Sequence, residues 1–193
     1  MKCTGKVEIL LGAWMLSAFA VLGCADADSS AKLDVKSSAV SECGGFAASS
    51  AALTDEDAAA DYCAAEVLEW SYDKDAEVLS LLNARVILNC CGDHGFVTEL
   101  SEDGIYVVTE FDKPMKTSAG SYDRCGCECV FDYEINLASI PAEEASFRLM
   151  RHVTDDGAAE TLWEGTLDLT ASSNGNSIVI NDEDAGPWCV FAE

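Results

Sequence analysis

Positive charge is scarce in this chain. Eleven lysines and arginines stand against 35 aspartates and glutamates in 193 residues, for a formal net charge of −24. A surface of that sign repels phosphate backbones and anionic headgroups, which excludes nucleic acid as a partner and leaves charge unable to hold the chain on a membrane. Histidine is scarce too, with only His94 and His152. Imidazole catalysis has little to draw on, and no spacing among the many carboxylates singles out an acid/base pair. There is no G-x-S-x-G, no phosphate-binding loop, no dinucleotide fingerprint and no C-x-x-C. The run Asn181-Asp182-Glu183-Asp184-Ala185-Gly186 lacks an oxygen ligand at the fifth position of a calcium loop. These absences point away from an enzyme.

What is present starts at residues 1–24. Lys2 and Lys6 precede an apolar run from Ile9 to Leu22 that closes in Val21-Leu22-Gly23-Cys24. The run is shorter than the roughly 20 residues needed to cross a bilayer. The segment resembles a bacterial lipoprotein signal peptide, in which the cysteine takes the lipid and becomes the first mature residue. The resemblance implies that residues 1–23 are removed and that Cys24 is acylated, with palmitate among its chains. It also implies a membrane partner reached through that lipid, at the bacterial cell envelope and at the outer membrane in preference to the inner. Secretion without lipid and an uncleaved anchor are the alternatives.

Residues 24–52 are rich in alanine and serine, with scattered charges, and read as the lipidated cysteine followed by a flexible tether. Residues 53–193 read as one domain. Thr54-Asp55-Glu56-Asp57 suits the start of a short helix running to Tyr62. From Val67 onward, short strand-like runs alternate with turn signals. Val67–Tyr72 and Val78–Cys90 flank Asp73-Lys74-Asp75 as a hairpin. Phe96–Leu100 and Ile105–Phe111 flank Ser101-Glu102-Asp103-Gly104. Cys127–Leu137, Phe147–Val153, Thr161–Leu169, Ser177–Ile180 and Trp188–Phe191 complete the set. Eight or nine strands without long helices between them predict an all-β, immunoglobulin-like β-sandwich. Trp70, Trp163, Trp188, Tyr72, Tyr106 and Tyr133 suit its core better than a carbohydrate platform.

Cys3 leaves with the signal and Cys24 goes to lipid. Cys43, Cys63, Cys90, Cys91, Cys125, Cys127, Cys129 and Cys189 remain, an even set that predicts disulfide bracing in an exported domain. Strand alternation puts Cys125, Cys127 and Cys129 on the apolar face of Phe131, Tyr133 and Ile135. It also groups Leu82, Ala84, Val86, Leu88 and Cys90 on one face, with Cys91 on the other beside Arg85 and Asn89. A bridge from Cys90 to one of the triplet would staple two strands from inside. Cys91 would reach a loop or Cys189. Gly126 suits a bulge, which would interrupt this geometry.

The competing chemistry is a metal centre. Cys90, Cys91, His94, Cys125, Cys127 and Cys129 offer soft sulfur and one imidazole, a set suited to zinc or cuprous copper. On the disulfide reading no cofactor is expected. A thiol-disulfide oxidoreductase is a further alternative, disfavoured because reactive cysteines are exposed and electropositive, with Arg124 beside Cys125 as the one local cation.

Leu68-Glu69-Trp70, the run from Asn83 to Cys91, and Cys125-x-Cys-x-Cys-Val-Phe-Asp-Tyr-Glu-Ile135 together resemble an uncharacterised family of bacterial lipoproteins. Its members pair an Asn-Cys-Cys segment with a C-x-C-x-C-[LVI]-[FY]-D strand. The resemblance spans about Val67 to Val153. It implies a small β-domain in the envelope, structural or binding in role, with a protein or glycan partner left open and no established activity.

Overall fold

A computed structural model describes residues 31–44 and 65–181, and within them ten strands and no helix. These are β1 (Val35–Val40), β2 (Glu66–Asp73), β3 (Val78–Asn89), β4 (Gly92–Leu100), β5 (Tyr106–Lys116), β6 (Tyr122–Asp123), β7 (Glu128–Leu137), β8 (Glu144–Val153), β9 (Glu160–Asp168) and β10 (Ser173–Asn181). One sheet has the order β1-β7-β3-β2-β10, and the other runs β4-β5-β8-β9 with β6 paired to β5. The two pack face to face, so the all-β, disulfide-braced sandwich expected from the turn signals is the fold. Every pairing is antiparallel except β5 with β8. Between those two strands the chain passes through β7 of the opposite sheet. The expected strand Trp188–Phe191, the helix from Thr54 to Tyr62, the signal segment, and Cys24, Cys63 and Cys189 lie outside the described residues.

One boundary needs correction. Val35–Val40, placed by composition in the tether, is an edge strand on β7. Beyond its end, the Ser41 amide donates to the Asp132 carbonyl at 2.9 Å and the Gly44 amide to Val130 at 3.0 Å. A strand binds its neighbour through backbone groups, which alanine and serine supply as well as any residue. Here only Leu33, Val35 and Val40 pack against the core.

A second correction concerns the faces of β3. Leu79, Leu81 and Asn83 point inward, but so do Val86 and Leu88, which have the opposite parity. A bulge between Asn83 and Val86 in the pairing with β7 resets the phase. Within it Arg85 adopts φ 66°, a left-handed conformation that costs a residue with a side chain about 1–2 kcal/mol. Its amide donates to Asp132 Oδ1 at 3.0 Å and its Nε to the Ala65 carbonyl at 2.6 Å, which hold the turn. Leu82 is therefore not on the core face assigned to it by simple alternation.

The interior has two apolar regions. The larger joins Leu68, Tyr72, Leu79, Leu81, Ile135 and Leu137 of the first sheet to Val108, Phe147, Leu149 and Leu167 of the second, with Trp70, Tyr106 and Trp163 packed on it. The smaller comprises Val86, Leu88, Cys129, Phe131 and Tyr133. Of the aromatic residues considered for a platform, Tyr72 and Tyr133 are buried, and Trp70, Tyr106 and Trp163 are half-buried against the core. A buried polar bridge joins the sheets at the level where β3 changes phase. Arg151 Nη2 donates to Glu66 Oε1 at 2.6 Å and to Glu110 Oε2 at 2.9 Å, while Asn83 Nδ2 donates to Glu66 at 2.8 Å and Glu110 at 2.9 Å. Burial pushes the Glu110 carboxyl up, and the Arg151 guanidinium opposes that shift.

Removing the cation would leave two carboxylates facing each other out of water. Arg151→Met is expected to cost about 3–5 kcal/mol in urea unfolding, the range for a broken buried pair. Adding Glu66→Gln and Glu110→Gln to that variant should recover part of the loss. A cost under about 1 kcal/mol, as for exposed pairs, would show the bridge to be screened by water.

Candidate functional site

Cys90 and Cys91 are the whole of the turn joining β3 to β4, and so the point where the chain changes sheets. Opposite them, Arg124 to Cys127 lead into β7. Cys90 bonds Cys127 and Cys91 bonds Cys125, with Cα separations of 5.7 Å and 5.5 Å. Both fall within the ordinary disulfide range. A third bridge joins Cys43 to Cys129, also at 5.5 Å, and fastens the segment after β1 to the buried start of β7. Six of the eight expected cysteines are thus paired, while Cys63 and Cys189 lie outside the described residues.

The pairing differs from simple alternation in one respect. β7 begins at Glu128, so only Cys129 of the triplet sits on its inward face, at 6 % exposure. Cys125 and Cys127 precede the strand. Gly126 is exposed and breaks the extended run, as a glycine there allows. The bridge from Cys90 to the triplet forms as expected, and Cys91 reaches the loop rather than the far carboxy-terminal cysteine.

Asn89 organises this end. Its side-chain Nδ2 donates to the Cys125 carbonyl at 2.7 Å and the Cys127 carbonyl at 3.0 Å, and its Oδ1 accepts from the Cys91 amide at 3.1 Å. The Cys90 amide donates to the Cys127 carbonyl at 3.2 Å. The Sγ atoms of Cys90, Cys91, Cys125 and Cys127 all lie within 4.8 Å of one another. His94 and Cys129, included in the expected metal set, are not in this group. Cys129 is bonded to Cys43. The His94 ring turns inward against Phe131, with centroids 4.6 Å apart, because its position on β4 shares the inward parity of Phe96 and Thr98.

Beneath the cystines lies a charge cluster that spacing did not reveal. Asp112 is 1 % exposed, and its Oδ2 accepts from Arg124 Nη1 at 2.7 Å. Arg124 also forms a forked ion pair with Asp155, with Nε to Oδ2 at 2.7 Å. The two carboxylates hold the Arg124 guanidinium firmly in its charged form. Asp112 Oδ1 faces His94 Nε2 at 3.4 Å. Gly92 lies against both, and a Cβ there would collide with Asp112 Oδ1 and the His94 ring. A sequence signal did exist: Asp112 has the same parity on β5 as buried Val108 and Glu110. His152, by contrast, places Nε2 3.0 Å from the Gly157 carbonyl, on the rim of a turn. A recess of about 580 Å³ between β1 and β4, lined by Leu33, Val35, Phe96 and Val97 with Lys32 and Glu99, gathers no comparable set of reactive groups. The cysteine end is the candidate site.

Comparison with protein-family models, with curated proteins and with solved structures finds no match. No activity is therefore inherited from a relative, and the site's chemistry rests on its own geometry.

Two outcomes follow. Burial holds the His94 imidazole below its ordinary 6.5; Asp112 opposes the shift and Arg124 reinforces it. The unfolded chain takes up this proton at higher pH than the folded one. His94 therefore contributes stability that is complete above about pH 6.5 and lost as pH falls below it. His94→Gln should flatten that acid-side slope of thermal midpoint against pH, and an unchanged slope would assign it to other groups. Replacing Cys43 and Cys129 together by serine should cost about 2–5 kcal/mol in denaturant unfolding, as expected for losing a native bridge over a long loop. An unaltered midpoint would show that the backbone pairing alone secures this segment.

Proposed function

We propose that this chain is a lipid-anchored protein of the bacterial cell envelope whose β-sandwich has a structural or binding role. The observation that carries the reading is the run Val21-Leu22-Gly23-Cys24 behind a short basic and apolar segment. The cystines support it independently. Bonds Cys43–Cys129, Cys90–Cys127 and Cys91–Cys125 belong to an oxidising compartment, and a cytosolic pool of thiols would open the exposed ones. The acidity of the chain fits as well, because attachment by charge to anionic lipid is unfavourable and a covalent lipid does not need it. The likeness to lipoproteins with an Asn-Cys-Cys segment and a C-x-C-x-C strand agrees with this placement, and a protein or glycan is the class of partner such a domain would present itself to.

The anchor has a direct test. Bacterial cells making the full chain should incorporate labelled palmitate and retain the protein in the membrane pellet. Cys24→Ser should lose the label and release the protein. A labelled, membrane-bound variant would overturn the assignment of Cys24.

A further inference from the structure

The two cystines at the β3–β4 corner are unusual in being side by side. Adjacent residues on one segment bond to residues two apart on another, so four sulfurs share one small volume. We propose that Cys90, Cys91, Cys125 and Cys127 constitute a redox-gated tetrathiolate site for a thiophilic divalent cation of the zinc class, latent while the cystines are closed. Such a site goes beyond the envelope role and does not depend on it.

The distances favour it. A tetrahedral centre with metal–sulfur bonds near 2.3 Å places its sulfurs roughly 3.8 Å apart. The four Sγ atoms already lie within 4.8 Å of one another. Opening the cystines lets bonded sulfurs part and the others draw in, movements of an ångström or two, on the order of what side-chain torsions deliver.

The scaffold that brings the sulfurs together has contacts besides the S–S bonds. The β3–β7 ladder extends to Asn89 opposite Glu128. Asn89 then ties Cys125, Cys127 and Cys91 by three hydrogen bonds, and the Cys90 amide adds a fourth to Cys127. These contacts outlast reduction and keep both ligand pairs facing. Access is available as well, since Cys127 is exposed and the other three are partly so. Four thiolates around a divalent cation leave two negative charges. Arg124 is already engaged by Asp112 and Asp155, so solvent at the exposed Cys127 is what stabilises them.

The chemistry balances with a dithiol reductant. Each cystine accepts two electrons and two protons, its S–S bond breaks, and one dithiol closes to its cyclic disulfide. The four resulting thiols release four protons as the cation binds. Reoxidation by a disulfide of the same class reverses both steps and expels the metal. Cys129 and His94 take no part, because both side chains are turned inward and lie outside the group of four sulfurs.

The test uses the full chain, reduced anaerobically with a dithiol and then freed of it. Titration with Co²⁺ should give one equivalent with the intense absorption of a tetrahedral thiolate centre, displaced by Zn²⁺, whereas the oxidised chain should give none. Alkylation mapped by mass spectrometry should show Zn²⁺ protecting Cys90, Cys91, Cys125 and Cys127, with every other cysteine labelled equally with and without the metal. Cys90→Ser combined with Cys127→Ser should abolish the cobalt signal, and Cys43→Ser with Cys129→Ser should keep it. Absence of the signal in the reduced wild-type chain overturns the proposal. So does protection that extends to Cys43 or Cys129, because that pattern belongs to an unfolded chain gathering whatever thiols it has. The protection map is read on the wild-type chain, so it decides the matter even where a serine variant fails to fold.

Discussion

From Leu79 opposite Leu137 to Asn89 opposite Glu128, β3 and β7 run antiparallel through the middle of the first sheet, and most of the molecule takes its position from that ladder. β2 and β10 extend the sheet on one side and β1 on the other. The bulge at Ala84–Arg85 divides the ladder into two stretches of opposite phase. Without it, Val86, Leu88 and Cys90 would follow the parity of Leu82 and turn outward. Because side chains alternate with a period of two, one inserted residue is enough to move half a strand from solvent to core. The left-handed backbone of Arg85 is the local cost, and Asp132 and the Ala65 carbonyl hold it in place.

The same change of phase explains where the buried charges sit. Asn83 is the last inward residue of the first stretch of β3, and beside it Glu66, Glu110 and Arg151 meet from three other strands. The apolar regions on either side are thus divided by a hydrogen-bonded polar layer. A charge in such a place contributes little net stability compared with a well-packed apolar side chain, but it penalises every register in which its partners are missing. The bridge's four residues come from β2, β3, β5 and β8, so the full set of contacts forms only when the two sheets are aligned as they are.

At the far end, the sheet-to-sheet corner is only two residues long, and both are cysteines. A short corner needs restraint, because few backbone hydrogen bonds remain available where a chain leaves one sheet for another. Asn89, the paired cystines, and the Asp112–Arg124–Asp155 cluster below them provide it. Restraint and reactivity coincide here. The arrangement that staples the corner also concentrates four sulfurs, whereas the Cys43–Cys129 bridge stands apart from that cluster.

Much of the sandwich was legible in the order of residues. Alternating apolar runs, Asp-Gly turns and the lack of long helical periods are local properties, and they place most strands and the hairpins β2–β3, β4–β5 and β8–β9. The staples were legible too, since an even set of cysteines behind a signal-like segment predicts oxidation. Three matters needed the tertiary structure. Ala/Ser-rich Val35–Val40 became a strand because β7 offered an unpaired edge. The phase change in β3 depended on Asp132, which lies 47 residues from Arg85. The partners of Cys90 and Cys91 depended on which loop faced the corner, and composition allows many pairings where space allows one. The sequence by itself determined most of the segments that extend, the buried faces of strands that no bulge interrupts, and the side chains available to react. Only the tertiary structure decided which of them meet, because those meetings join residues tens of positions apart and no local pattern encodes the distance between them.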